Sequence, residues 1–186
     1  MLHCIATFAM FLAMSSAAHA RGEKVKKLNK DNVKAFITDT SDMTNGSDQE
    51  VTTEFISAYL QKHLAEDARF ISTMTYHIPD MPPQSTSVNF DKAQFINTVN
   101  EGAESIGSYE NSVDVTEIKV AWGSKKAFVK TESIETGFMS VPGDDSNKTD
   151  VPIEGKSTCA QVITLHKGVI QMSNAVCKTD VTFSGF

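Results

Sequence analysis

The stretch that most constrains the fold is Ser157 to Phe183, STCAQVITLHKGVIQMSNAVCKTDVTF. Val162, Ile163, Thr164 and Leu165 are strand formers, and Val169, Ile170 and Met172 mirror them across His166-Lys167-Gly168. Gly168 suits the left-handed position of a three-residue turn with a bulge, which would pair Leu165 with Val169. Counted outward from that pair, Cys159 falls opposite Ala175, and Cys177 lies one diagonal step further. Side chains alternate with period two, so both sulfurs face the same side of the sheet. A bulge, or a slightly different turn, sets them directly opposite each other. The alternatives at this point are a Cys159–Cys177 disulfide and two buried free thiols, and the compartment separates them.

The front of the chain bears on the compartment. Met1 to Ala20 carry no Asp, Glu, Lys or Arg, and the run from Ile5 to Met14 is almost wholly apolar. Small residues follow, ending Ala18-His19-Ala20, and Arg21 opens a charged stretch. This is the pattern of a secretory signal peptide over residues 1–20 with an A-x-A cleavage site, although the basic n-region is missing. The alternative is an uncleaved anchor, and the apolar run is short of the ~20 residues that span a bilayer. Cleavage removes Cys4 and leaves an even cysteine count, in a periplasmic or extracellular setting where disulfides persist. No stable membrane span is expected after cleavage.

Residues 31–186 suit one domain with a real core. Arg21 to Lys30 holds five basic residues and one acid, and reads as a basic, flexible leader over 21–30. The chain as a whole carries a formal net charge of −6. An acidic body argues against nucleic acid as the main partner.

Helices come first. Val33, Phe36 and Ile37 have helical spacing from Asp31 to about Thr40, and Thr44-Asn45-Gly46 breaks the pattern. Ser47-Asp48-Gln49-Glu50 has the form of a capping box opening a helix to about Ala65, with Val51, Phe55, Tyr59 and Leu60 on one face. Ala68 to Ile78 reads as a strand with Phe70, Met74, Tyr76 and Ile78 pointing one way. Pro79 to Ser87 reads as a loop, and Asp91-Lys92-Ala93-Gln94 opens a short helix with Phe95, Ile96 and Val99. From Tyr109 on, the chain is strand. Val113 and Val115 keep one phase while Ile118, Val120 and Trp122 keep the other, so a β-bulge is expected near Thr116-Glu117. Gly123-Ser124 turns the chain back, and Ala127 to Met139 is the next strand.

The helix running into Glu66-Asp67-Ala68-Arg69-Phe70, the short Asp91–Ala103 helix, the bent strand and the closing hairpin together resemble the nuclear-transport-factor-2-like (SnoaL-like) superfamily, over about Asp31 to Phe183. The resemblance implies an α+β fold: a curved antiparallel sheet wrapped around N-terminal helices, shaped as a cone with a pocket at its open end. Such domains include ketosteroid isomerase, dehydratases, epoxide hydrolases, periplasmic parts of type IV secretion systems and many non-catalytic modules. The fold alone therefore names no activity. If Glu66-Asp67-Ala68 matches the family's Asp-Asp-Ala, the isomerase base position falls at Ser72, which cannot act as that base.

The expected pocket lining is Tyr59, Phe70, Met74, Tyr76, Trp122 and Glu132, with Phe55, Phe95 and Val99 buried nearby. Tyrosines on an apolar face are commonly core, and Glu132 is a pocket acid only if it points inward. No catalytic residue is singled out. His63, His77 and His166 have no ligand spacing, and Asp144 to Asp150 lacks the Gly and terminal Glu of an EF-hand loop, so no metal or other cofactor is expected. No Ser/His/Asp order, P-loop or dinucleotide fingerprint is present. The sequence thus points to an exported binding or interaction module without catalysis. Its partner would be a small hydrophobic ligand, a protein, or a second copy through the sheet. The competing reading is a small isomerase, dehydratase or hydrolase using the cone pocket.

Overall fold

A computed structural model of the chain describes residues 24–44, 52–103, 106–142 and 148–184. The signal-peptide stretch and the Ser47–Glu50 capping pattern lie outside them. Among the described residues, three helices and six strands follow in the order α1 (Lys30–Thr44), α2 (Thr53–His63), β1 (Leu64–His77), β2 (Gln84–Asp91), α3 (Lys92–Ala103), β3 (Ile106–Val120), β4 (Lys126–Pro142), β5 (Lys148–His166) and β6 (Val169–Phe183).

Local chemistry sets the helix starts. Asn29 and Asn32 exchange side-chain-to-backbone hydrogen bonds at 2.9 and 2.8 Å ahead of α1. Asp91 and Gln94 do the same ahead of α3, at 3.1 and 2.9 Å, as their spacing predicts. Thr52 caps α2, its Oγ1 accepting from the Phe55 amide at 3.2 Å. The buried stripe of α2 is Leu60 and His63, with Ile56 and Tyr59 partly buried against the core. Phe55, expected to be buried, sits in the first turn off that stripe and is 48% exposed.

The six strands form one sheet in the order β2-β1-β6-β5-β4-β3. It is mixed, not wholly antiparallel as expected: β1 and β6 run parallel, and every other pair is antiparallel. Connectivity forces this. The chain leaves the β1–β2 hairpin, crosses through α3 to the opposite edge, and returns by hairpins until β6 lands beside β1. β2 itself replaces much of the expected 79–87 loop: its Thr73–Ser87 and Thr75–Ser85 side-chain hydrogen bonds to β1, at 2.9 and 3.1 Å, give a polar sequence a reason to pair.

The bulge in β3 lies where the phase slip puts it, between Val115 and Glu117, with the Thr116 hydroxyl donating to the Lys130 carbonyl at 3.2 Å. The closing hairpin turns on two residues, not three. Lys167 and Gly168 both have positive φ, 50° and 85°, and His166 pairs with Val169. A second register shift follows between Val162 and Ile163. Together these shifts set Cys159 opposite Cys177, and the two are bonded with Cα atoms 4.2 Å apart.

The core joins the helices to one face of the sheet. Val33, Phe36 and Ile37 of α1, Leu60 of α2, and Phe95, Ile96 and Val99 of α3 share one cluster with Phe70, Ala127, Val129, Ile163 and Met172 of the sheet. Phe70 and Phe95 stack at 4.1 Å between centroids. The residues from Lys24 to Asn29, read as part of a flexible leader, are held down. The Val25 amide donates to Gly168 O at 2.9 Å, the Leu28 amide donates to Ser124 O at 2.8 Å, and Leu28 is fully buried.

Candidate functional site

Register alone places the inward residues of β4, β5, β6 and β1 in cross-strand rows. Nearest the helices the rows are apolar, as in Ala127, Ile163 and Met172. Toward the far end lies a second apolar cluster of Met74, Tyr76, Val151, Ile153, Val181 and Phe183. Between the two runs a buried polar band. One row is Thr131, Cys159, Cys177 and Ser72; the next is Ser133, Ser157, Thr179 and Met74; the third is Asn111, Glu135, Gly155, Val181 and Tyr76.

Every polar residue of that band is withdrawn from solvent, Glu135 and Ser72 completely. Such groups need partners. The Ser157 and Thr179 hydroxyls bond each other at 2.7 Å, and Gln161 Nε2 donates to the Thr131 hydroxyl at 3.3 Å. Two atoms find no protein partner: Ser72 Oγ in the first row, and Oε1 of Gln161, which lies one row nearer the helices and joins the band through Thr131. Each leaves a hydrogen-bonding capacity that water or a ligand would fill, and each unmet costs about 1–3 kcal/mol. Beside Glu135, the cross-strand position on β5 is Gly155, so no β5 side chain stands between Glu135 and Val181 in their row.

Tyr76 closes the third row. It is 6% exposed, its hydroxyl donates to Met74 Sδ at 3.4 Å, and burial pushes its pKa up to about 12. A neutral phenol at ordinary pH donates a hydrogen bond and does not act as a base.

Of the residues expected to line a pocket, Phe70, Met74 and Tyr76 do share the inward face of β1. Tyr59 lies on α2, stacked on His63 at 4.4 Å. His63 is itself buried, its Nδ1 donating to the Ile170 carbonyl at 2.8 Å. Two of the six are elsewhere. Trp122 sits in the β3–β4 turn and is fully exposed, because β3 ends at Val120 before the tryptophan. Glu132 has the outward phase of β4 and lines a groove on the face away from the helices, with Asp114, Ile134, Lys156, Lys178 and Asp180. Glu135, three residues on, is the inward carboxylate, and the sequence reading passed over it. Among the described residues no group of three or more His, Cys, Asp or Glu could hold a metal ion.

No family model matches the sequence, and no curated protein matches it. Similar solved structures include a conserved protein of Planctomyces limnophilus, at 14% identity over 69% of this chain and 84% of that one, with a TM-score of 0.43. An NTF-2-like protein of unknown function from Silicibacter pomeroyi is similar at 10% identity over 66% of this chain and 78% of that one, TM-score 0.36. The hexachlorocyclohexane dehydrochlorinase LinA-type3 of Novosphingobium barchaimii is similar at 10% identity over 66% and 72%, TM-score 0.40. Enzymes and proteins of unknown function thus stand side by side among the structures similar to this chain.

Proposed function

We propose that this chain is an exported small-ligand-binding module whose sheet curves as a cone over its helices and takes its ligand against the buried polar band. The observation that supports the reading is the pair of unpartnered, fully enclosed atoms, Ser72 Oγ and Gln161 Oε1, in a band bounded by apolar clusters on both sides. A compact ligand with apolar ends and a central hydroxyl, amine or amide matches that order of surfaces. The test is substitution. Ser72→Ala together with Gln161→Leu removes both polar atoms. If a ligand uses them, native mass spectrometry of the protein recovered from cells shows a bound small molecule that the double variant loses. If none does, the double variant melts higher than the parent, because two unmet polar groups are gone. Higher stability with no ligand in either protein would sink the proposal.

A second reading rests on one residue. Glu135 is a buried carboxyl in the same row as Tyr76, and a carboxyl held away from water is what proton-transfer chemistry in such a fold requires. In this reading Glu135 is the acid or base of an isomerase- or dehydratase-type reaction. Glu135→Gln, nearly isosteric, should then abolish turnover while ligand retention survives. Under the first reading it changes affinity alone.

Export is part of the proposal. The uncharged, apolar residues 1–20 and the Cys159–Cys177 bond fit passage to an oxidising compartment. The mass of the mature protein should place its N-terminus at Arg21.

A further inference from the structure

We propose that the end of the molecule carrying the β3–β4 and β5–β6 turns is a contact surface for anionic phospholipid membranes. Three segments meet there. Gly168 of the β5–β6 turn accepts from the Val25 amide at 2.9 Å, and Ser124 of the β3–β4 turn accepts from the Leu28 amide at 2.8 Å. The Leu165 amide reaches Lys125 O at 2.9 Å, and Lys125 Nζ reaches Lys26 O at 3.4 Å. The Gly168 α-carbon lies so close to the Lys24 side chain that an added Cβ would approach Lys24 Cβ to 3.0 Å.

The charge of this end is one-sided. Residues 24–30, 118–131 and 162–174 together hold nine lysines and no Asp or Glu, in a chain whose formal net charge is −6. Lys24, Lys26, Lys27, Lys125, Lys126 and Lys167 are all exposed. Glu117, just before the second of these segments, is already held between Lys119 and Lys130, which keep its pKa down at about 2. At the tip stands Trp122, 105% exposed, and on β4 the half-exposed Phe128 has Lys126 Nζ 5.4 Å from its ring. A tryptophan left wholly in water, on an end rich in exposed lysines, is the combination that partitions to a headgroup region: the indole enters the interface and the ammonium groups meet lipid phosphates. A sulfated polysaccharide would use the lysines and gain little from the indole, and a nucleic acid would be repelled by a chain of net charge −6, so the surface commits to a bilayer.

Trp122 is the chain's one tryptophan, so its emission reports this end alone, even where residues 1–20 are still attached. The protein as recovered from cells is titrated with vesicles of phosphatidylglycerol and, separately, of phosphatidylcholine. The expected result is a blue shift of Trp122 emission on phosphatidylglycerol only, reversed by added salt. Neutralising Lys27, Lys125 and Lys167 singly to Gln should weaken the partitioning about fivefold each. Trp122→Ala, followed by co-sedimentation, should weaken it several-fold without changing the melting temperature. The proposal is overturned by an equal shift on phosphatidylcholine, by retention that ignores both the lysine and the tryptophan changes, or by tight binding to heparin with no binding to vesicles.

Discussion

Glu135 and Tyr76 lie in one inward row, and both are buried. For Tyr76 the consequence is a pH dependence with a definite sign. Its pKa is raised from the ordinary 10 to about 12, so the folded protein holds the phenolic proton more tightly than the unfolded chain. Below about pH 10 both states are protonated and the full stability is present; it falls as pH rises from about 10 through about 12. Tyr76→Phe should flatten the stability profile in that window relative to the parent, as read by urea denaturation at stepped pH. Parallel profiles would mean the phenol ionises freely in the native state. Glu135 shows why single residues were hard to place from sequence. On β4 the bulky apolar residues Phe128, Ile134 and Phe138 point outward, and the inward phase is Ala127, Val129, Thr131, Ser133 and Glu135. Reading the heavier hydrophobics as the inward set puts Glu132 in view and hides Glu135. Counting by twos from Ala127 and Val129, which alternate with Lys126, Phe128 and Lys130, would have found it.

At the scale of elements, features set by a few adjacent residues were legible and features set by distant partners were not. The Asp91–Gln94 capping pair, the bulge at Thr116 and the Gly123-Ser124 turn each follow from local chemistry, and each is present. The closing hairpin came close: its turn is one residue shorter and carries one bulge, two half-steps that together bring the cysteines into line. The parallel neighbour of β1, the pairing of β2 and the anchoring of Leu28 depend on where the chain returns, which no window of sequence reports. The disulfide closes a sequence separation of 18 residues, for which restricting the unfolded chain gives about 3 kcal/mol. Cys159→Ala with Cys177→Ala should therefore lower the unfolding free energy by about that much, and the same loss should follow mild reduction of the parent. An unchanged denaturation midpoint would show that the neighbouring strand pairs fix the register unaided.

For the whole molecule, the outward face of the sheet offers a surface for self-association. Ile71, Ile134, Phe138 and Val176 stand between 38% and 49% exposed on the sheet, and Ile134 lines a groove of about 480 Å³ with both signs of charge on its walls. Asp114, Glu132 and Asp180 alternate with Lys156 and Lys178, a pattern that a two-fold axis can match to itself. We expect a homodimer through this face. Sedimentation at micromolar concentration should return twice the chain mass, and Ile134→Lys should return a monomer with its melting transition intact. A monomer from the parent at every accessible concentration would remove the idea.

The position of β6 in the sheet has a consequence in time. It is the last of the six strands along the chain, yet it lies between β1 and β5, near the middle of the sheet. Until it is added, the β1–β2 hairpin and the β3–β4–β5 meander are two separate pieces, each with an open edge of unpaired amides and carbonyls. A chain emerging from synthesis N-terminus first cannot join them early. The molecule therefore closes in one late step, when a single strand zips two half-sheets together and its cysteine meets a partner that has been waiting. That places the slow, aggregation-exposed phase of folding after β6 has been made, and makes loss of this fifteen-residue strand a loss of the whole sheet, not of one edge.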